Sequence, residues 1–491
     1  MSKKKSGIWN LLDRIQGDKV IWLVIIFLTL LSVVALFSAT SLDAGVLSGK
    51  TTRVHLFLIQ TLVVTGGFIV MSIIYKIQGI RVFKFVSQFG YLLSMMLLVP
   101  LFLHIKSGPI QAQYINQAWR TILLFGKIQV HVFEFVKVAM VMYLAWAVDT
   151  WKGHNFAIAN LLSERYKHFG WLSKPFWQGV VYIFIPIVTT AIGLISGSVS
   201  TVLFVGLIMF ATLFVGGFSI KDTFIYGATL VGLLVAGYGL YNATEEGSGL
   251  NKTLGKVYDR IGTAKGRLQT FSGSDAQDGT VELDEAVAQH SGKKSVAEQI
   301  REAKTVNERR EIIDKYTQTE GSKIAIKEGG LLGKGPGRST QKYRVPLIFG
   351  DYMYSFLIEE YGLWMGILVL IMYVSLLARG SRIAMFCKKT FSRTAVAGLT
   401  LLISGQAMMH ILINVGIVPV TGQTLPIVSD GKSSLLMFYI AFGILLSISK
   451  TAKKQMDKAI ENADSIIPDN VGSGDEVADS VSDVEYLDNI E

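Results

Sequence analysis

The chain has 491 residues, is 51% hydrophobic and only 17% charged, and carries a formal net charge of +10. Its mean hydropathy is +0.44. A soluble domain this apolar would expose much apolar surface, and the charged share lies below the ~25% usual in globular chains. A disordered chain, a fibrous repeat and an ordinary soluble enzyme are therefore excluded, and a polytopic helical membrane protein is indicated. The lone cysteine, Cys387, excludes a disulfide framework and any Cys-based metal site.

The first 19 residues are polar, with Lys3, Lys4 and Lys5, and read as a cytoplasmic N-terminus without a cleavable leader. Apolar runs long enough to span a bilayer then predict an all-α fold of ten transmembrane helices, at 20–40, 55–75, 85–104, 130–148, 176–194, 197–217, 223–242, 351–377, 395–417 and 431–449. Helices one to seven fill 20–242 and helices eight to ten fill 351–450. Between them lies a long extracytoplasmic loop, 243–350, with an insertion at about 272–316 that is expected to serve partner docking. In that loop Ser295-Val296-Ala297-Glu298 reads as a capping box, opening a helix to about Tyr316. The tail, 451–491, is acidic and expected to be disordered. With the N-terminus inside, the inner loops and termini hold 22 Lys and Arg and the short outer loops hold 5. This bias predicts that both termini are cytoplasmic.

Ionisable residues within membrane segments are candidate functional groups. Glu134 and Lys137 stand at i, i+3 and can pair on one helix face. They would either hold the bundle together or orient the fourth helix. Glu359 and Glu360 would sit inside the eighth helix, in structural contact with a backbone group or an arginine. Asp351 lies where the long loop enters that helix, either as a plain N-cap or as a carboxylate at the outer water–lipid boundary. The loop is net +4 over 251–267, −4 over 268–320 and +5 over 321–350. Basic flanks beside one carboxylate suit a lipid headgroup such as a pyrophosphate, or simply an anionic lipid surface.

Several chemistries find no pattern. The run Gly329-Gly330-Leu331-Leu332-Gly333-Lys334-Gly335 does not fit a nucleotide phosphate loop, because Gly335 follows Lys334. No zinc-binding histidine pair and no serine nucleophile elbow occurs, and no basic, aromatic-interleaved stripe suggests nucleic acid.

The stretch from Ser322-Lys323-Ile324-Ala325-Ile326 through Gly335, Gln341-Lys342 and Pro346 to Asp351, followed by Ile358-Glu359-Glu360-Tyr361-Gly362, resembles the SEDS family (shape, elongation, division and sporulation). A second block is similar too: Asn414-Val415-Gly416, Pro419, Thr421-Gly422, Leu425-Pro426 and Ser429 through Ser433-Ser434. Weaker matches are Asn116 to Arg120 and Glu134 with Lys137. The resemblance covers about 17–450. The opening Gly17 to Trp22 and the acidic tail look more like the division branch than the elongation branch. The chain departs from the family pattern at His131-Val132-Phe133, at Ser196 to Thr201, at Phe349 and at Asp430-Gly431-Lys432.

The resemblance implies a peptidoglycan glycosyltransferase that polymerises lipid II into glycan strands during septal wall synthesis. Asp351 would be the catalytic general base on the acceptor hydroxyl. Arg120, Lys127, Arg267, Lys334, Arg338, Ser429, Ser433 and Ser434 would bind substrate. Glu134, Lys137, Glu359, Glu360 and Asn414 would have structural or orienting roles. No protein metal site is expected, although Mg²⁺ or Mn²⁺ could assist the leaving pyrophosphate. The implied partners are a class b penicillin-binding protein, other division proteins and the bacterial inner membrane at the septum. The alternatives are a lipid-precursor flippase and a non-catalytic division scaffold.

Overall fold

The structure is a computed structural model that describes residues 16–39, 53–77, 79–115, 118–126, 128–154, 156–195, 197–244, 248, 255, 258, 306–345 and 348–466. It is mostly helical. In chain order the helices are α1 (Lys19–Ala39), α2 (Arg53–Lys76), α3 (Ile80–Leu103), α4 (Val132–Lys152), α5 (Ala157–Arg165), α6 (Pro175–Ile195), α7 (Val199–Val215), α8 (Ile220–Ala243), α9 (Val306–Gly329), α10 (Ile348–Asp351), α11 (Met353–Tyr361), α12 (Leu363–Met385), α13 (Thr390–Asn414) and α14 (Lys432–Ile466). Eight of these helices are long and apolar enough to cross a membrane. α4, with Glu134, Lys137, Asp149 and Lys152, and α7, with 17 residues, fall outside that set.

Local signals set the boundaries. The Ser198 hydroxyl accepts from the Thr201 N–H and opens α7, and Pro175 occupies the first turn of α6. His104 closes α3 in the left-handed region (φ 54°), returning its N–H to Leu101 and Pro100. The bundle is built around α13 and α14, whose apolar windows are 72% and 83% buried, against 6% for α8 at the periphery. In a bilayer the lipid is as apolar as leucine, so close van der Waals packing carries helix association. Small residues serve it here. Gly398 of α13 faces Val141 of α4 and Thr212 of α7, while Gly67 of α2 lies against the Tyr439 ring of α14.

The structure departs from expectation in four places. First, the fold is not wholly α-helical. The connection between α3 and α4 is an antiparallel meander of β1 (Ile110–Ile115), β2 (Ala118–Leu124) and β3 (Ile128–His131). Leu124 pairs with both Ile110 and Ile128, and the register shifts at Gln113/Tyr114. Ala112, Thr121 and Ile122 are buried while Tyr114, Phe125 and Ile128 are exposed, so part of the sheet rests on the bundle. Second, the eighth segment is not one helix. Gly362, at φ 88°, separates the buried α11 from the spanning α12. Third, the helix expected to stop near Tyr316 continues to Gly329, where Gly330 (φ 52°) ends it. Its predicted start at Ser295 lies outside the described residues. Fourth, α14 runs past residue 450 to Ile466. Residues 467–491 and most of the insertion at 272–316 also lie outside the described residues.

Candidate functional site

Helix α11 begins in the protein interior, and its first turn needs partners for its free N–H groups. α13 supplies them. The Tyr354 N–H donates to His410 Nε2 (3.3 Å) and the Ser355 N–H to Asn414 Oδ1 (3.0 Å). The Ser355 hydroxyl also donates to Asn414 Oδ1 (2.8 Å). The Asn414 amide, in turn, donates to the Asp351 carbonyl (3.1 Å) and the His410 carbonyl (2.8 Å). One side chain thus ties α13 to the backbone of Asp351 and to the start of α11. From α9, Ser322 contacts the Ser355 hydroxyl (2.5 Å) and donates to the Asn414 carbonyl (2.8 Å).

The segment between α13 and α14 closes the other side. The Ser429 hydroxyl donates to the Gly350 carbonyl (2.7 Å) and accepts from the Leu425 N–H (2.8 Å). The Asp430 N–H donates to the Phe349 carbonyl (2.9 Å). Gly350 and Asp351 therefore have their carbonyls held by Ser429 and Asn414, and Asp351 itself is half-buried.

The same segment gathers a second group of residues. Lys137 is buried, and its ammonium donates to Glu134 Oε1 (2.7 Å), Gln406 Oε1 (2.7 Å) and Gln423 Oε1 (3.2 Å). The Gln423 amide donates to the Thr201 hydroxyl (3.1 Å), and the Gln423 carbonyl lies 2.8 Å from His410 Nδ1. A carbonyl can only accept, so Nδ1 carries the proton and Nε2 is left to accept from Tyr354: the imidazole is neutral. Arg120, on β2, donates to the Gly422 carbonyl at 3.4 Å, and the His131 N–H donates to the Ser433 hydroxyl at 2.9 Å. Ser434 is buried in the first turn of α14. A continuous set of contacts thus runs from Glu134 and Lys137 through Gln423 and His410 to the helix that follows Asp351.

The glycine-rich run after α9 forms a backbone clamp rather than a phosphate cradle. The Lys334 and Gly335 N–H groups donate to the Glu359 and Glu360 carbonyls (2.9 and 2.8 Å), and Leu363 N–H donates to the Gly330 carbonyl (2.9 Å). A Cβ on Gly333 or Gly362 would strike the opposing backbone. Lys334 is engaged with Glu359 (2.8 Å) and with Glu328, so its charge already has protein partners. Burial works against the Lys334 ammonium, but the two carboxylates outweigh it and raise its pKa.

The neighbouring carboxyls behave oppositely. Burial would raise Glu359, but hydrogen bonds from Lys334, Ser339 and the Thr340 and Gln341 N–H groups overcome it and hold its pKa below the usual range. Burial prevails at Glu360 and pushes its pKa up; Ser38 donates to Oε1 (2.6 Å), Oε2 has no hydrogen-bond partner, and the Lys342 ammonium stays 4.0 Å from Oε1. Both contacts lie beside a helix break rather than within a spanning helix, and their side-chain partners are lysine and hydroxyl groups rather than an arginine. Arg338 is exposed on this loop. Lys127 and Arg267 lie outside the described residues.

Sequence reasoning missed Thr201, Gln406, His410 and Gln423. The signal for Gln406 and His410 was their position as polar residues inside an apolar run, which is costly unless satisfied.

Residues 298–454 match the family model of the FtsW, RodA and SpoVE cell cycle proteins. Over this segment, about a third of the chain, the sequence is similar to that family. Curated relatives include a probable peptidoglycan glycosyltransferase FtsW of Caulobacter vibrioides, 37% identical over 124 residues (25% of this chain, 32% of the relative). The stage V sporulation protein E of Bacillus subtilis is 38% identical over 133 residues (27% and 36%). The peptidoglycan glycosyltransferase MrdB of Escherichia coli K12 is 40% identical over 142 residues (28% and 38%). The chain thus spans about a third of the length of the curated relatives it matches. A solved structure described as "Structural coordination of polymerization and crosslinking by a peptidoglycan synthase complex" superposes with a TM-score of 0.54 at 18% identity, covering 89% of this chain and 98% of that one. That likeness shows the shared fold. Together with the eight apolar helices, it makes this a multi-pass membrane protein.

Proposed function

We propose that the chain is a peptidoglycan glycosyltransferase that polymerises lipid II, working at the septum with a class b penicillin-binding protein and other division proteins. In this reading it crosses the membrane ten times with both termini cytoplasmic. The observation that carries it is the anchoring of Asp351. Its backbone and that of Gly350 are held from two sides by Asn414 and Ser429, and α13 caps the helix that follows. A half-buried carboxylate on a fixed turn suits a general base, which must hold its geometry against the proton it removes.

The acceptor sugar hydroxyl gives its proton to Asp351 as its oxygen bonds to the anomeric carbon. The bond from that carbon to the pyrophosphate breaks at the same centre, so an α-linked donor yields a β-linked product. The pyrophosphate gathers negative charge, which Arg120, Arg338, Lys127 and Arg267 would meet. Lys334 instead holds the Glu359 loop. Among the described residues no group of three or more His, Cys, Asp or Glu side chains comes together.

The test incubates purified protein and its penicillin-binding partner with labelled lipid II. Wild type yields polymer. Asp351→Asn still inserts and binds the partner but yields none; polymer at the normal rate from that variant would sink the assignment. Labelled lipid crossing a vesicle bilayer without polymer would identify a transporter, and neither outcome a scaffold.

A further inference from the structure

Far from Asp351 in the sequence, a cavity of about 380 Å³ opens between the start of α3, the end of α4, α5 and α6. The elements that frame it are flanked in sequence by basic residues: Lys76 just before α3 and Arg81 at its start, Lys152 at the end of α4, Arg165 at the end of α5, and Lys167 and Lys174 before α6. None of its lining residues takes part in the site described above.

The lining pairs opposite charges with aromatic rings. Lys84 forms an ion pair with Asp149, whose other oxygen accepts from the Phe391 N–H at the start of α13 (3.0 Å). The Asp149 carboxylate is thereby fixed in place. Trp146, Phe156 and Tyr182 supply the aromatic part of the lining. Phe156 and Tyr182 stack at 4.0 Å with their planes 12° apart, and Trp146 meets both edge-on. Tyr182 lies on a π-helical turn, Val180–Phe184, a local departure from α geometry that is frequent at functional sites.

The surroundings are those of a membrane interface. α5 exposes Ile158 (66%) and Leu161 (62%) and ends on Arg165, as a helix lying in a headgroup layer could. On α3, Phe85 and Phe89 turn outward within a turn of the cavity, offering a track for an acyl chain. The ligand class follows from the charges. A purely anionic headgroup would face Asp149, and a purely cationic one would face Lys84. A zwitterion carrying a phosphate and an ammonium a few ångströms apart satisfies both, and aromatic faces favour its ammonium.

We propose that this cavity binds the headgroup of a zwitterionic aminophospholipid from the adjacent leaflet, phosphate toward Lys84 and ammonium toward Asp149 and the Trp146 ring. The bound lipid would replace the direct Lys84–Asp149 contact with two ion pairs, one at each end of the headgroup, while the Phe391 N–H keeps Asp149 in place, and would bridge α3, α4 and α6. This proposal does not rest on the glycosyltransferase reading.

Native mass spectrometry of the full chain, taken from vesicles of equimolar phosphatidylethanolamine and phosphatidylglycerol, tests it. Wild type should retain phosphatidylethanolamine over phosphatidylglycerol by at least fivefold. Ala157→Trp, which fills the exposed rim and leaves the ion pair intact, should cut retention at least fivefold. Asp149→Asn, which can still accept from Phe391, should reverse the preference toward phosphatidylglycerol, a change that misfolding would not produce. Equal retention of both lipids by wild type, no retained lipid, or an Ala157→Trp protein that keeps phosphatidylethanolamine would each overturn the proposal.

Discussion

Glu359 and Glu360 are adjacent in sequence, both fully buried, and opposite in electrostatic character. The difference lies in their donors. Glu359 has Lys334, the Ser339 and Thr340 hydroxyls and two backbone N–H groups, while one Glu360 oxygen has no hydrogen-bond partner. The pKa of Glu359 is depressed, so its contribution to stability is present above the unfolded carboxylate value, near 4.3, and is lost as pH falls through the lower folded value. Glu359→Gln should therefore cost about 2 kcal/mol at pH 7, given the worth of hydrogen bonds to a charged group. The gap from wild type should narrow below about pH 4. Glu360 is the reverse case: its pKa is raised, so ionisation as pH rises weakens the fold. Glu360→Gln keeps an acceptor for Ser38 and should leave the thermal midpoint unchanged or higher at pH 8. Midpoints of purified protein in detergent between pH 3 and pH 8 decide both cases. Equal losses for the two variants at neutral pH would refute the contrast.

At the scale of elements, the clamp between the glycine-rich run and the α11–α12 break sets where α11 ends. Gly333 and Gly337 both sit at φ +79°, where an L side chain costs roughly 1–2 kcal/mol. Only Gly333 also faces the Glu360 carbonyl and the Gly362 N–H, whereas a Cβ on Gly337 meets nothing within 4 Å. Gly333→Ala should thus destabilise at least twice as much as Gly337→Ala, and should also slow polymerisation, because the displaced α11 carries the capping contacts behind Asp351. A thermal melt and a lipid II assay on the two variants provide the check. Matched effects would mean that backbone conformation, not close approach, dominates. The clamp also explains what hydropathy could and could not convey. The apolar run from 351 to 377 is continuous enough to predict one helix, because composition carries no record of Gly362's positive φ or of the strand-like contacts that hold it. The short β1–β3 meander was hidden for a related reason: its alternation spans only a few residues between two strong apolar runs.

Across the whole molecule, the helical runs were legible because a bilayer forces long apolar stretches, and the Glu134–Lys137 pair because i, i+3 spacing is local. The network around that pair was not, since it joins α4, α7, α13 and the segment before α14, residues up to 286 positions apart. Such contacts exist only once the helices have packed. Their cooperation can be tested with a double-mutant cycle. Lys137→Met removes the cation but leaves the Glu134 carboxylate buried, with Gln406 and Gln423 each losing a donor. Breaking one side of a buried pair costs about 3–5 kcal/mol, and replacing both sides with neutral groups can recover part of that. Glu134→Gln combined with Lys137→Met should therefore be at least 1 kcal/mol more stable than Lys137→Met alone, since the stranded charge is gone. Its polymerisation should nonetheless stay low, because Gln423 would no longer be held against His410 and the start of α11. If the double variant melted no higher than the single one, the cost would lie in lost packing rather than in the stranded carboxylate. If it regained full activity, the path from α4 to Asp351 would have no part in positioning the base.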